Sequence, residues 1–132
     1  MTDLKFREVS NLLLADFPEF RGRYEQGLGW WQGPEPPGQY VVFGFVLEPV
    51  LRELLSAGSD SALLKRIFGF FEKMASSSDI EVVNLLQVGI FESLVRERDR
   101  LAAAWKYMGE KTKGVARRIA RIRDCEQNLP SD

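Results

Sequence analysis

The sequence predicts an all-α fold: a single-domain bundle of about six helices containing a HEAT-like helical hairpin at about residues 60–95. Three observations predict it. Apolar residues recur three and four positions apart through most of the chain, residues that start and stop helices punctuate the runs, and the one strand-like run has no second run nearby to pair with. A chain of 132 residues, 45% hydrophobic, is the size of one ordinary domain and buries roughly two thirds of its unfolded surface. One core over 1–132 is therefore expected, organised as an N-terminal helical piece (1–26), a Gly/Pro/Trp loop (27–39) and a helical body (40–129).

From Thr2 as N-cap, Leu4, Phe6, Val9, Leu12 and Leu13 fall at near-helical spacing, which gives a first amphipathic helix ending around Asp16 and Phe17. Pro18 suits the first turn of a new helix, expected to run to about Gln26 and to be stopped by Gly27 and Gly29. The following stretch, LGWWQGPEPPGQY, is too rich in Gly and Pro for regular structure.

Residues 40–57 set two patterns against each other. Tyr40 to Phe45 is β-branched and aromatic enough for a buried strand, whereas Val50, Leu51, Leu54 and Leu55 have helical spacing. An isolated strand is unstable, so the segment is read as helix throughout, kinked at Glu48 and Pro49.

The next portion is the clearest. Ser59 or Asp60 caps a helix whose apolar face is Leu63, Leu64, Ile67, Phe68, Phe70, Phe71 and Met74, with Lys65, Arg66, Glu72 and Lys73 opposite. After the triple serine, Ser78-Asp79-Ile80-Glu81 fits a capping box, in which the Ser78 and Glu81 side chains would each satisfy a free N–H. Val82, Val83, Leu85, Leu86, Val88, Ile90, Phe91 and Leu94 continue the helix, and a hairpin of this kind resembles one HEAT-type repeat. No second copy follows, so a solenoid is not supported. Arg96 to Asp99 reads as a charged break, Leu101 to Met108 as a helix stopped by Gly109, and Glu110 to Leu129 as a last helix packing through Val115, Ile119 and Ile122.

Composition narrows the chemistry. The chain has no histidine and one cysteine, which removes Ser-His and Cys-His nucleophiles, the histidine base, and zinc sites built on imidazole or several thiolates. Carboxylates, lysine or acid-bound magnesium remain available, so catalysis is disfavoured without being forbidden. Asp79 and Glu81 are explained by capping, no Gly-rich phosphate loop with a GK[ST] ending is present, and Cys125 has no base beside it in sequence. No cofactor and no metal are expected. The start of the chain lacks the apolar core of a signal peptide, and the longest uncharged run, Pro36 to Leu47, is too short to span a membrane; a cytoplasmic protein is expected.

The net charge of -1 hides a polar chain. Residues 1–95 carry 8 basic and 13 acidic side chains, and residues 96–123 carry 10 and 3. Lys111, Lys113, Arg117, Arg118, Arg121 and Arg123 could neutralise phosphates, which supports a nucleic-acid-associated regulator as one alternative. The pI of 5.6 weighs against it, and arginines pairing with acids of the first 95 residues is the favoured account of that helix. The acidic remainder suits a basic protein partner. A small-ligand-binding helical protein with its pocket beneath the Trp loop is the other alternative.

The blocks YVVFGFVLEPVLRELL, LLKRIFGFFEKMASSSDIEVVNLLQVGIFESL and KYMGEKT resemble an uncharacterised family of small bacterial helical proteins in which these motifs recur in this order. Members look like companions of polymorphic-toxin loci, so the resemblance implies an immunity protein that neutralises a cognate toxin by direct binding. It carries over no functional residues. The partner-binding residues expected from the sequence lie in and beside the long loop: Trp30, Trp31, Glu35 and Tyr40, since Trp and Tyr dominate interface hot spots. The competing account makes the two tryptophans a lid on the core.

Overall fold

The computed structural model describes residues 3–32, 34–35, 37–58 and 60–131; among these described residues there are seven helices, 75% of the residues are helical and there is no strand. Helix α1, Val9–Asp16, is preceded by a 3-10 turn, Phe6–Glu8. Helix α2, Arg21–Leu28, is preceded by another, Pro18–Phe20, opened by the proline as expected. Thr2 and Ser59, two of the expected caps, lie outside the described residues. Leu12, read as part of the inner face of α1, is exposed, while Val9 and Leu13 are buried.

Helix α3 covers residues 39–57 and settles the strand-or-helix question in favour of helix. It is α-helical over Gln39–Val42, a wider π turn over Phe43–Leu47, and α-helical again over Glu48–Ala57. The irregularity lies just before Pro49, for a stereochemical reason: proline has no N–H to give the Phe45 carbonyl four residues earlier, and its ring crowds that carbonyl. Gly58, at φ 65, ends α3 in the left-handed conformation, its N–H donating to Leu54 O at 3.1 Å.

Helix α4, Ser61–Ala75, is capped by Asp60, whose carboxylate accepts from the Leu63 N–H. Helix α5 covers 80–94, again with a π turn, Gln87–Phe91, in its middle. The expected capping box is not formed. Asp79 is the N-cap, accepting from the Glu81 N–H, whereas Ser78 turns away to donate from its N–H and hydroxyl to the Asp3 carboxylate. Two capping residues stand side by side here, and the distant Asp3 takes one of them. Neighbouring groups complete a clasp on the start of the chain: Ser77 Oγ donates to Leu4 O (2.6 Å), and the Phe6 N–H donates to Asp79 Oδ2 (2.9 Å).

Helix α6, Arg98–Trp105, starts and stops three residues earlier than the sequence suggests, because Glu97 is the last extended residue and Lys106 and Tyr107 already form the next turn. Helix α7, Glu110–Ile122, stops well short of Leu129; Asp124 takes a left-handed φ of 58 and a separate 3-10 turn, Glu126–Asn128, follows. Ile122, expected to pack, is 60% exposed. At about 100° per residue, the buried face of Thr112, Val115, Ala116, Ile119 and Ala120 is centred about a quarter turn away from it.

A single hydrophobic cluster runs through all seven helices. At its centre Phe71 meets Phe68 (centroids 5.1 Å, edge-on) and Phe91 (6.2 Å), and Phe43, Phe71 and Phe91 are fully buried. Each such ring contributes about 1.5–3 kcal/mol relative to an exposed one. The α4–α5 hairpin expected over 60–95 is present, and α7 packs against α4 and the π turn of α5. Helices α3 and α5 cross at their π turns, where Gly89 lets the backbone approach Phe43: a Cβ there would lie 3.3 Å from Phe43 Cβ.

Candidate partner-binding surface

Helix α2 packs on the other side of the α3 π turn, and the approach is tight. A Cβ on Gly27 would sit 2.7 Å from the Phe45 carbonyl oxygen, so only glycine fits. This is the carbonyl that Pro49 cannot serve. The close approach fixes where α2 ends, and with it where the tryptophans that follow Leu28 emerge.

The two indoles are placed by hydrogen bonds within their own segment. Trp30 Nε1–H donates to Gly27 O (2.6 Å), and Trp31 Nε1–H donates to Glu35 O (2.7 Å). Trp30 meets Trp31 edge-on (centroids 5.7 Å, planes at 66°) and Phe45 likewise (5.5 Å, 64°). Trp30 is 54% exposed and Phe45 52%, while Trp31 is half-buried. Three aromatic rings thus form an exposed corner against α3, with neither indole sunk in the core. Both tryptophans have satisfied N–H groups, which leaves their apolar rings as the part offered to solvent.

The four residues singled out from the sequence are only partly brought together. Trp30 and Trp31 touch, and Glu35 joins them through its backbone carbonyl, with its side chain exposed. Tyr40 instead faces α5: its hydroxyl accepts from Asn84 Nδ2 (2.6 Å), and its ring lies 6.0 Å from Phe6. Phe45 was not singled out; read as part of an apolar run it belongs to the core, and the clue to its exposure is its place four residues before Pro49, where the helical phase is disturbed. Gly33 and Pro36 of the loop lie outside the described residues.

A second feature joins two motif blocks far apart in sequence. The Glu72 carboxylate of α4 accepts from the Lys111 N–H (3.0 Å), the Thr112 N–H (2.9 Å) and the Thr112 hydroxyl (2.6 Å), so it caps α7 from another helix. Burial alone would raise the Glu72 carboxyl, but these hydrogen bonds outweigh it and hold the group below the usual carboxylate range. Gly109 makes room, since a Cβ there would meet the Glu72 carboxyl at 2.5 Å. Beside this latch is a cleft of ≈ 560 Å³ between α4 and the turn before α7, with Phe68 and Tyr107 stacked at 6.0 Å.

The basic helix is occupied by contacts of several kinds. Arg123 pairs with Glu92 (3.1 Å), Arg121 with Glu126 (3.8 Å), and Arg118 Nε–H donates to Gln87 Oε1 (2.8 Å). Lys113 and Arg117 lie over the Trp105 ring at 5.4 and 5.5 Å. Only Glu92 in that set is an acid of the first 95 residues. Among the described residues no group of His, Cys, Asp or Glu is arranged to hold a metal ion, and no helix is long and apolar enough to cross a membrane.

Comparison with known proteins returns one family. A family model described as a domain of unknown function (DUF7674) matches residues 10–123. No curated protein and no solved structure matches the chain.

Proposed function

The chain belongs to the DUF7674 family, a domain of unknown function, and on that premise we propose that it is a non-enzymatic protein-binding module, a cytoplasmic bacterial immunity protein that neutralises a toxin by direct contact. The observation that carries this reading is the aromatic corner: Trp30 and Phe45 are both more than half exposed and in edge-to-face contact. Large aromatic side chains already ordered in the free protein lose little entropy when a partner covers them, and such residues dominate interface hot spots. Trp31 buttresses the corner and Glu35 lies beside it through its backbone carbonyl, whereas Tyr40, on the α5 side, would be a separate contact. The acidic excess of residues 1–95 suits a basic toxin domain, by speeding and orienting the encounter. Neither cofactor nor metal enters this mode of action.

The test is co-purification with the product of the adjacent upstream gene, followed by calorimetry on wild type and Trp30→Ala. Loss of a hot-spot residue of ~2 kcal/mol weakens binding about 30-fold. Because Trp30 is largely outside the core, the melting temperature should stay within ~2 °C of wild type. Absence of binding to that product or to any toxin domain, with no self-intoxication when the gene is deleted, rejects the immunity reading; wild-type affinity in Trp30→Ala rejects the aromatic corner as the contact. The nucleic-acid alternative has less support, since Lys113, Arg117, Arg118, Arg121 and Arg123 are engaged with Trp105, Gln87, Glu126 and Glu92.

A further inference from the structure

The cleft beside the Glu72 latch has a composition the protein-binding reading does not use. Ser61, Lys65, Phe68 and Gly69 are four, three and one positions apart on α4, so they share one helix face, and Lys106 and Tyr107 close the opposite side. The ammonium group of Lys106 lies 5.3 Å from the Tyr107 ring centroid. Among the described residues no carboxylate forms an ion pair with Lys65 or Lys106. The acid lining the cleft, Glu72, stays ionised, but its oxygens are turned to Lys111 and Thr112 and form no ion pair with either lysine. Two ammonium groups therefore border a recess with the buried Phe68 at its base and the half-buried Tyr107 ring beside it, open at Gly69, where a Cβ would meet nothing within 4 Å.

We infer that this cleft binds a small organic phosphate carrying a planar ring, a molecule of mononucleotide size. Lysine ammonium groups act as point charges toward phosphate, and the flat aromatic edge beside them matches a heterocycle. The volume of ≈ 560 Å³ lies within the range of small-molecule sites. Lys65 and Lys106 would hold the phosphate, the Ser61 hydroxyl would donate to it, and the ring would take the place beside Tyr107 that the Lys106 ammonium leaves on turning to the phosphate. Glu72 keeps the α7 N-terminus fixed and takes no part in the contact.

Adenosine monophosphate is the probe, titrated into the full chain with inorganic phosphate in parallel, by calorimetry and by amide shifts of Gly69 and Gly109. Saturable binding is expected, tighter than inorganic phosphate by about tenfold and weakened about tenfold or more by Lys65→Ala and by Lys106→Ala. Both lysines are exposed, so neither variant should disturb folding. Lys73→Ala, an exposed lysine of α4 outside this cleft, should bind as wild type. The inference is overturned by any of three results: no saturable binding at millimolar nucleotide, equal weakening by Lys73→Ala, or inorganic phosphate binding as tightly as the nucleotide. Trp30→Ala should leave this affinity unchanged, so success or failure here is read separately from the protein-binding proposal.

Discussion

Glycine carries opposite energetic meanings at Gly69 and Gly109. Gly69 sits mid-helix with open space where a Cβ would go, so Gly69→Ala should stabilise by about 0.5–1 kcal/mol through lower unfolded-state entropy. Gly109 would drive a Cβ into the Glu72 carboxyl at 2.5 Å. Gly109→Ala therefore should push the carboxylate off the Lys111 and Thr112 N–H groups and cost about 1–3 kcal/mol, the range for leaving buried hydrogen-bonding groups unpaired. Urea unfolding of the two variants checks both signs; a stabilised Gly109→Ala would mean that the latch is not formed. Local spacing separates a helix-ending Gly109 from a mid-helix Gly69, but it does not reveal the contact that excludes a Cβ, because the partner of Gly109 is a side chain 37 positions away. The same distance hid Glu72, whose helical spacing reads as a solvated face.

At the scale of the element, the sequence was most legible where the helix-forming signal is local. The apolar face of α4 is buried as read, with Leu64, Ile67, Phe68, Phe70, Phe71 and Met74 all in the core, and α3 is helical through Pro49. Legibility failed where an end is decided by something remote. Ser78 and Asp79 are both good caps, and Asp3, 75 positions earlier in the chain, decides between them. The end of α7 depends on Asp124 turning left-handed so that the Cys125 N–H can reach Ala120 O (2.7 Å), which no spacing of Val115 and Ile119 reveals. Phe45 was hidden for a related reason, since its exposure follows from the π turn. The clasp gives a test. Asp79→Ala removes the α5 cap and the acceptor of the Phe6 N–H together, and should cost about 2 kcal/mol, roughly twice a typical cap. Hydrogen exchange should quicken at residues 3–16 as well as at 80–84; quickening at α5 alone would show that the start of the chain is held by its apolar contacts.

Across the whole molecule, Asp3, Glu19, Glu53 and Glu72 are held below the usual carboxylate range, and all but the Glu72 latch share a location. Hydrogen bonds from Ser78 lower Asp3, those from Arg66 lower Glu19, and those from Arg23 lower Glu53. Each ties the N-terminal helical piece to α3, α4 or the turn before α5. A carboxyl whose folded pKa is depressed stabilises fully above its unfolded value of about 4.3 for Glu or 3.9 for Asp, and that contribution is lost as pH falls through the lower folded value. These groups are exposed and screened, so each effect is small. Their shared location makes the direction specific: on acidification from pH 7 toward pH 3, protection should fall first over residues 3–28, ahead of α4 and α5. Uniform loss of protection would show that the ties are energetically silent. The three tryptophans meanwhile occupy three distinct surroundings, one mostly bare, one half-covered, and Trp105 at 8% exposure beneath two cations. A neutral collisional quencher such as acrylamide will reach the first far more readily than the last. The protein consequently carries its own optical reporter, in which shielding of the quenchable emission marks a partner settling on the aromatic corner without any attached dye.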